Sequence, residues 1–247
     1  KSVDLGGRRI IKKKKNKHTN TNKTKKTKIT NPIKATKNII ETVREENITV
    51  TMFFIGCQIE NFPNIYKDAI NYPNILIGNH TYSHANNRYR KFYSDPLLVV
   101  EDIKKANSIV GVDNISNTSS AFLPVRLAGR NVFRLPTITK NDNMIDTIQR
   151  EKEIVGYDNI YKEGYYIYGW DLEWAYEKNG KPILTPQEIY NSMEKIYEKK
   201  LSSKEDKVVL LMHDFMFSNN FDGKENLKTL IQLLKNGGWS FENIENY

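Results

Sequence analysis

Residues 74–84 read "NILIGNHTYSH", and the reading of this stretch decides the fold. Its first half, Ile75, Leu76 and Ile77, is a short apolar run of the kind that forms a strand buried on both faces. Its second half sets His80 and His84 four residues apart, directly behind that run. The 247-residue chain has only four histidines, so two at one strand end is an uneven use of a scarce residue. In open α/β sheets and in barrels, sites collect beyond the carboxyl ends of the strands. A backbone that turns helically there would place both imidazoles on one side, about one turn apart. Two neutral imidazoles suit zinc or a similar divalent ion, and a catalytic site needs a third ligand and an open position. The plainer reading is two polar residues in a loop.

Working outward, residues 49–56, "TVTMFFIG", form a second apolar, β-rich run ended by Gly56. Residues 31–48 carry Ile33, Ala35, Ile39, Ile40 and Val43 at helical spacing. Helices are also expected over 61–73 and 95–110, the latter with Asp95 as N-cap and Pro96 in first position. Two more are expected over 185–201, which starts Thr-Pro, and over 225–238, where Gly237 is the stop signal. Three further strand-like runs are "SAFLPVRL" (120–127), "GYYIYGWDLEW" (164–174) and "DKVVLLMHD" (206–214). Strands alternating with helices imply a parallel sheet or a barrel wrapped by helices.

These later strands also end on chemistry. One ends at His213, one at Asp171 followed by Glu173 and Trp174, and one at Arg126. The remaining histidine, His18, lies in the N-terminal segment. Each residue keeps a plainer alternative: Asp171 as a strand-end cap, Arg126 as an ion-pair partner, and Trp170 and Trp174 as core.

The net charge of +9 is unevenly placed. Residues 1–28 hold 12 of the 38 Lys and Arg and one of the 29 acids, so the remainder is near neutral at −2. Residues 12–30, "KKKKNKHTNTNKTKKTKIT", are low in complexity and lack periodicity. Residues 1–30 are therefore expected to be a flexible basic tail or linker, and 31–247 a single domain. A nucleic-acid partner would have to rest on the tail alone and is not expected for the domain. The single cysteine, Cys57, excludes a disulfide framework and a Cys-rich zinc site. No apolar run is long enough for a transmembrane helix, and no signal peptide is seen in the chain.

In this setting the chain resembles the NodB-homology polysaccharide deacetylases, carbohydrate esterase family four. "NHTYSH" is similar to that family's H-[ST]-x-x-H second motif, and "TVTMFFIG" to the strand before it. "VRLAGR" stands at the arginine-bearing third motif, with Ala128 where proline is usual. "GWDLEW" resembles the fourth motif and "VVLLMHD" the fifth. The resemblance spans about residues 31–239, with the motifs in order. It implies an α/β fold, a distorted (β/α) barrel, and a hydrolase of carbon–nitrogen bonds other than peptide bonds. Such an enzyme removes N-acetyl or O-acetyl groups from a chitooligosaccharide, peptidoglycan or a related glycan. By the same resemblance His80 and His84 hold a divalent metal such as Zn2+, and His213 is the general acid. Asp171 orients His213, Arg126 holds the catalytic aspartate, and Trp170 or Trp174 lines the pocket. The family analogy points to the cell envelope or the extracellular space.

One motif is missing. The family's first motif, Thr-Phe-Asp-Asp-Gly, supplies the base aspartate and a carboxylate ligand. The corresponding place reads "TKKTKITNPI", with Lys26 and Thr27 near the expected aspartates. Asp4, in "SVDLGG", is the one displaced candidate. Two functions follow: a deacetylase impaired by this loss, or a catalytically degenerate carbohydrate-binding domain on the same fold.

Overall fold

The computed structural model describes residues 2–6, 32–110 and 123–247. The basic stretch 12–30, with Lys26 and Thr27, lies outside the described residues, as do residues 120–122 of the "SAFLPVRL" run. In chain order the elements are β1 (Ser2–Gly6), α1 (Pro32–Glu46), β2 (Val50–Phe54), α2 (Gly56–Asn61), α3 (Pro63–Ile70) and β3 (Ile75–Asn79). Then come α4 (Tyr89–Tyr93), α5 (Pro96–Val110), β4 (Phe133–Arg134), β5 (Thr139–Lys140) and α6 (Thr147–Lys162). The last are β6 (Leu172–Glu173), α7 (Pro186–Glu198), β7 (Lys207–Leu211), α8 (Gly223–Asn236) and β8 (Ser240–Phe241).

The strands follow the expected α/β pattern. β2 pairs with β3 in parallel, and β6, β7, β1 and β8 form a parallel sheet in that order. The two blocks are joined by single bridges, Asn79 to Val125 and Val125 to Ile167. The Asp171 amide continues the path to the Val209 carbonyl (2.9 Å). The result is a barrel-like arrangement without a closed ladder. Residues 123–127 and 164–174 contribute bridges and the two-residue β6, not full strands.

Alternation along the strands explains their unbroken apolar character. Val50, Met52 and Phe54 of β2, Ile75 and Ile77 of β3, and Val208 and Leu210 of β7 face the helices in one core cluster. Phe53, Leu76 and Val209, the residues between them, meet in a second cluster with Phe133, Tyr168 and Tyr247. Successive side chains point to opposite faces, so strands covered on both faces must be apolar throughout. Gly78 follows the same register. A Cβ there would lie 2.4 Å from Cδ1 of Phe53, so the Phe53 ring occupies its place.

Helix signals also match the structure. The Asp95 carboxylate accepts from the Leu98 amide (3.1 Å). Thr185 and Glu188 close a reciprocal capping box at the start of α7. Among the elements the sequence does not signal, two matter most for the fold. α6 buries Gln149, Glu153, Gly156, Tyr157 and Ile160 while exposing Ile148 and Val155, so its apolar residues do not mark its inner face. A bidentate ion pair holds that polar face: Arg130 donates through Nε and Nη2 to Glu153 at 2.6 and 2.8 Å. The other is β1, inserted between β7 and β8, so residues 2–6 belong to the sheet and not to the flexible tail expected over 1–30.

Candidate active site

His80, His84, Arg126, Trp170, Glu173 and His213 line one open cavity of about 550 Å³ at the carboxyl ends of β3 and β7. The three histidines of the described chain thus share one space, although His80 and His213 are far apart in sequence.

His80 follows β3 directly and is 6% exposed. Its Nδ1 lies 2.7 Å from the Arg126 carbonyl oxygen. A carbonyl can only accept, so Nδ1 carries the proton and Nε2 keeps its lone pair. Burial, with His84 alongside, holds the His80 imidazole well below the usual histidine range, which keeps it neutral. The His84 ring sits edge-on to it, centroids 5.1 Å apart. Both facts fit a pair of imidazole ligands for a divalent ion. Among the described residues, no group of three His, Cys, Asp or Glu is gathered as a metal site.

The two rings do not converge through an α-helical turn, as the spacing of four had implied. Thr81 has φ of 65°, and His84, Ala85, Asn86 and Asn87 all have positive φ, between 48° and 57°. This is a left-handed turn. For residues with a Cβ, such a conformation costs about 1–2 kcal/mol each, less for asparagine. The loop is secured from several sides. The Thr81 amide donates to Asn79 Oδ1 and the His84 amide to Thr81 Oγ1, both at 2.9 Å. The Gly56 and Cys57 amides donate to the Thr81 and Tyr82 carbonyls at 3.0 and 3.1 Å.

The carboxylate beside His213 is Glu173, whose Oε1 lies 3.2 Å from Nε2. This departs from the pairing with Asp171 expected from sequence. Asp171 accepts from the Ser203 amide (2.9 Å), the Ser203 hydroxyl (3.0 Å), the Val209 amide (2.9 Å) and the Tyr247 hydroxyl (2.8 Å). Register gives the reason. Leu172 stands opposite Leu210 and Glu173 opposite Leu211, the end of β7. Asp171 is two residues short of Glu173, about 6–7 Å further down the strand. The imidazole of His213 is also packed between aromatic rings, parallel to Phe215 at 5.6 Å and edge-on to Tyr176 at 4.9 Å. Its Nδ1 is buried with no hydrogen-bond partner among the described residues.

Arg126 is 1% exposed. Its Nε and Nη2 donate to the carbonyls of Tyr168 (3.3 Å) and Gly169 (3.0 Å), and its guanidinium lies 4.3 Å above the Phe53 ring. The surface ion-pair alternative is therefore excluded by burial. The two tryptophans separate. Trp170 lines the cavity, and Asn131 clamps its backbone by donating to the carbonyl and accepting from the amide, each at 2.9 Å. Trp174 is fully buried in the core, donates from Nε1 to the Leu184 carbonyl (2.9 Å), and does not line the cavity.

Asp4 lies on β1, whose description is limited to the backbone. It stands opposite Val209, two positions before Gly6, which is level with Leu211 of the cavity lining. The sequence reading missed Glu173 as a partner of His213, and missed Asn131, Asp142, Tyr89 and Tyr176 in the lining.

Comparison with known proteins bears on the family and the fold. Residues 30–152 match the family model described as polysaccharide deacetylase. This part of the chain belongs to the polysaccharide deacetylase family. A peptidoglycan-N-acetylglucosamine deacetylase of Bacillus cereus is 33% identical over 89 residues, which is 36% of this chain and 28% of that protein. The chain therefore matches little more than a quarter of the length of this curated relative. The catalytic domain of a peptidoglycan N-acetylglucosamine deacetylase from Eubacterium rectale superposes with a TM-score of 0.59 at 14% identity, covering 98% of this chain and 88% of that one. A CE4 family pseudoenzyme from Bacillus anthracis superposes with a TM-score of 0.57, also at 14% identity, covering 99% and 64%. At such identities the superpositions establish the deacetylase fold.

Proposed function

We propose that this polysaccharide deacetylase domain hydrolyses acetamide groups on an amino-sugar glycan of the peptidoglycan or chitooligosaccharide class, with a divalent metal such as Zn2+ held by His80 and His84. The observation that carries this reading is the cavity shared by His80, His84 and His213. The free Nε2 of a neutral His80 supports the metal assignment. A bound divalent ion supplies Lewis-acid polarisation of the acetamide carbonyl and lowers the pKa of water. His213 acts as the general acid that hands a proton to the departing amine. Glu173 orients its ring and stabilises the imidazolium, the part the sequence reading had given to Asp171. Trp170 offers its indole to the sugar at the cavity wall.

The base aspartate of the family's first motif has no match at Lys26 and Thr27, and among the described residues no third His, Cys, Asp or Glu joins the histidine pair as a metal site. Loss of a general base typically lowers a rate by 10²–10⁴-fold, so turnover is expected to be slow. That observation favours a second reading, a glycan-binding domain with little chemistry, and one of the structural neighbours is itself described as a pseudoenzyme. Acetate release from a chitooligosaccharide and from peptidoglycan fragments, measured with and without added Zn2+, separates the two. Zn2+-dependent acetate release supports the hydrolase; glycan binding without release supports the binding domain. His80→Ala is expected to abolish metal binding, and unchanged affinity would refute the ligand assignment.

A further inference from the structure

We infer that Asp102, on α5, is the positioning residue that keeps the loop bearing His80 and His84 in ligating shape. This rests on the proposed metal pair and goes beyond it, because Asp102 lies outside the cavity lining and outside every motif of the sequence.

The argument starts from the backbone donors of the loop. The His80 amide is held by the Phe54 carbonyl (2.9 Å), the Thr81 amide by Asn79 Oδ1, and the His84 amide by Thr81 Oγ1. These three acceptors come from β2, β3 and the loop itself. The two amides between them, of Tyr82 and Ser83, both donate to Oδ2 of Asp102, at 2.7 and 3.1 Å. Among the described residues Asp102 is thus the one charged acceptor of the loop's backbone amides, and it holds the two residues that separate Thr81 from His84. A carboxylate accepting from two successive amides makes charge-assisted bonds, stronger than neutral ones. Lys105, one turn further along α5, adds a second hold, its Nζ lying 3.6 Å above the Tyr82 ring.

The loop needs such an anchor because of its conformation. Thr81 and His84 both have positive φ, and the left-handed turn continues through Asn87. Residues in these regions persist only where the surroundings over-determine them. Without Asp102, the Tyr82 and Ser83 amides lose the carboxylate oxygen they share. The turn that leads into His84 then loosens, and the position of its ring relative to His80 is less tightly set. His80 itself stays on β3, tied to Phe54 and Arg126.

The test compares wild type, Asp102→Ala and Asp102→Asn by two readouts: Co2+ titration followed by its ligand-field absorption, and hydrogen exchange of the Tyr82 and Ser83 amides in metal-free protein. Asp102→Ala is expected to lower Co2+ affinity about 10–100-fold, the range typical for groups that orient metal ligands, and to speed exchange at those two amides. Asp102→Asn keeps an acceptor oxygen and should restore most of both. Unchanged exchange in Asp102→Ala overturns the proposal, as does faster exchange with wild-type Co2+ affinity. If wild type binds no Co2+, the metal reading falls, and the exchange data alone decide whether Asp102 anchors the loop.

Discussion

Asp171 and Glu173 are separated by one residue in sequence, and their substitutions should fail in opposite ways. The Asp171 carboxylate accepts four hydrogen bonds, from the Ser203 amide and hydroxyl, the Val209 amide and the Tyr247 hydroxyl. Hydrogen bonds to charged groups contribute about 1.5–3 kcal/mol each, but members of one network do not add fully. Asp171→Ala is therefore expected to cost about 3–5 kcal/mol. At roughly 2–4 °C per kcal/mol for a chain of this size, the melting temperature should fall by about 6–20 °C. Glu173 makes a single contact of 3.2 Å to His213 from a side chain that is 37% exposed. Glu173→Gln should change stability by less than about 1 kcal/mol, yet lower acetate release by roughly 10²-fold if His213 is the general acid. Thermal unfolding and acetate release, measured on the same preparations, make the comparison. The stability arm does not depend on the domain being active. An Asp171→Ala variant that melts like wild type, beside a Glu173→Gln variant of full activity, would refute the register argument and restore Asp171 as the partner of His213.

Three further outcomes follow from the packing. Gly78→Ala forces a methyl group against the Phe53 ring and should destabilise the domain by about 1–3 kcal/mol in denaturant titrations. Trp174→Ala, inside the core, should cost about 3–5 kcal/mol, whereas Trp170→Ala at the cavity wall should weaken glycan binding in calorimetry with little change in melting temperature. The phenols of Tyr93, Tyr157 and Tyr247 are all raised above the usual tyrosine range, chiefly by burial. Their protons are retained by the folded chain after the unfolded chain has lost them. Their contribution is complete below pH ~10 and declines above it, by up to ~1.4 kcal/mol per pH unit for each phenol. Unfolding midpoints followed above pH 10 alongside phenolate absorbance check the sign, and a midpoint that rises with pH would contradict it.

The parts of the fold that were legible are those where burial writes a pattern. β2, β3 and β7 are covered on both faces, so they read as unbroken apolar runs, and α5 and α7 begin with capping residues that the structure uses. α6 was not legible because its inner face mixes Tyr157 and Ile160 with buried Gln149 and Glu153, the latter paired with Arg130, while Ile148 and Val155 are exposed. No periodicity of apolar residues can report that arrangement. β1 was hidden for another reason: a five-residue strand beside a long basic run has too few residues to carry a period. At the site, the strand ends pointed to His80, His84 and His213, since residue type and position after an apolar run are local facts. The choice between Asp171 and Glu173 depends on how β6 is registered against β7, and a single sequence does not encode register directly.

That division has a physical source in how the cavity is built. His80 and His84 hang from the β2 and β3 pair, and Glu173 and His213 from β6 and β7. No ladder hydrogen bonds run directly between these pairs. Besides the single bridges through Val125 and Ile167, their separation rests on the layer beneath the cavity, where Phe53, Leu76 and Val209 meet Phe133 and Tyr168, with Arg126 lying over Phe53 and bonded to the Tyr168 and Gly169 carbonyls. Arg126 thus touches both halves: its own carbonyl sets the tautomer of His80, and its guanidinium holds the strand that leads on to Glu173. Densely packed interiors transmit strain instead of absorbing it. A change of one methyl group in this layer should therefore be felt as a displacement between the metal pair and the acid, while the left-handed loop above it keeps its shape through Asp102 and Thr81. Distance between the two halves and order within the histidine loop are consequently separate properties of the site, held by different residues.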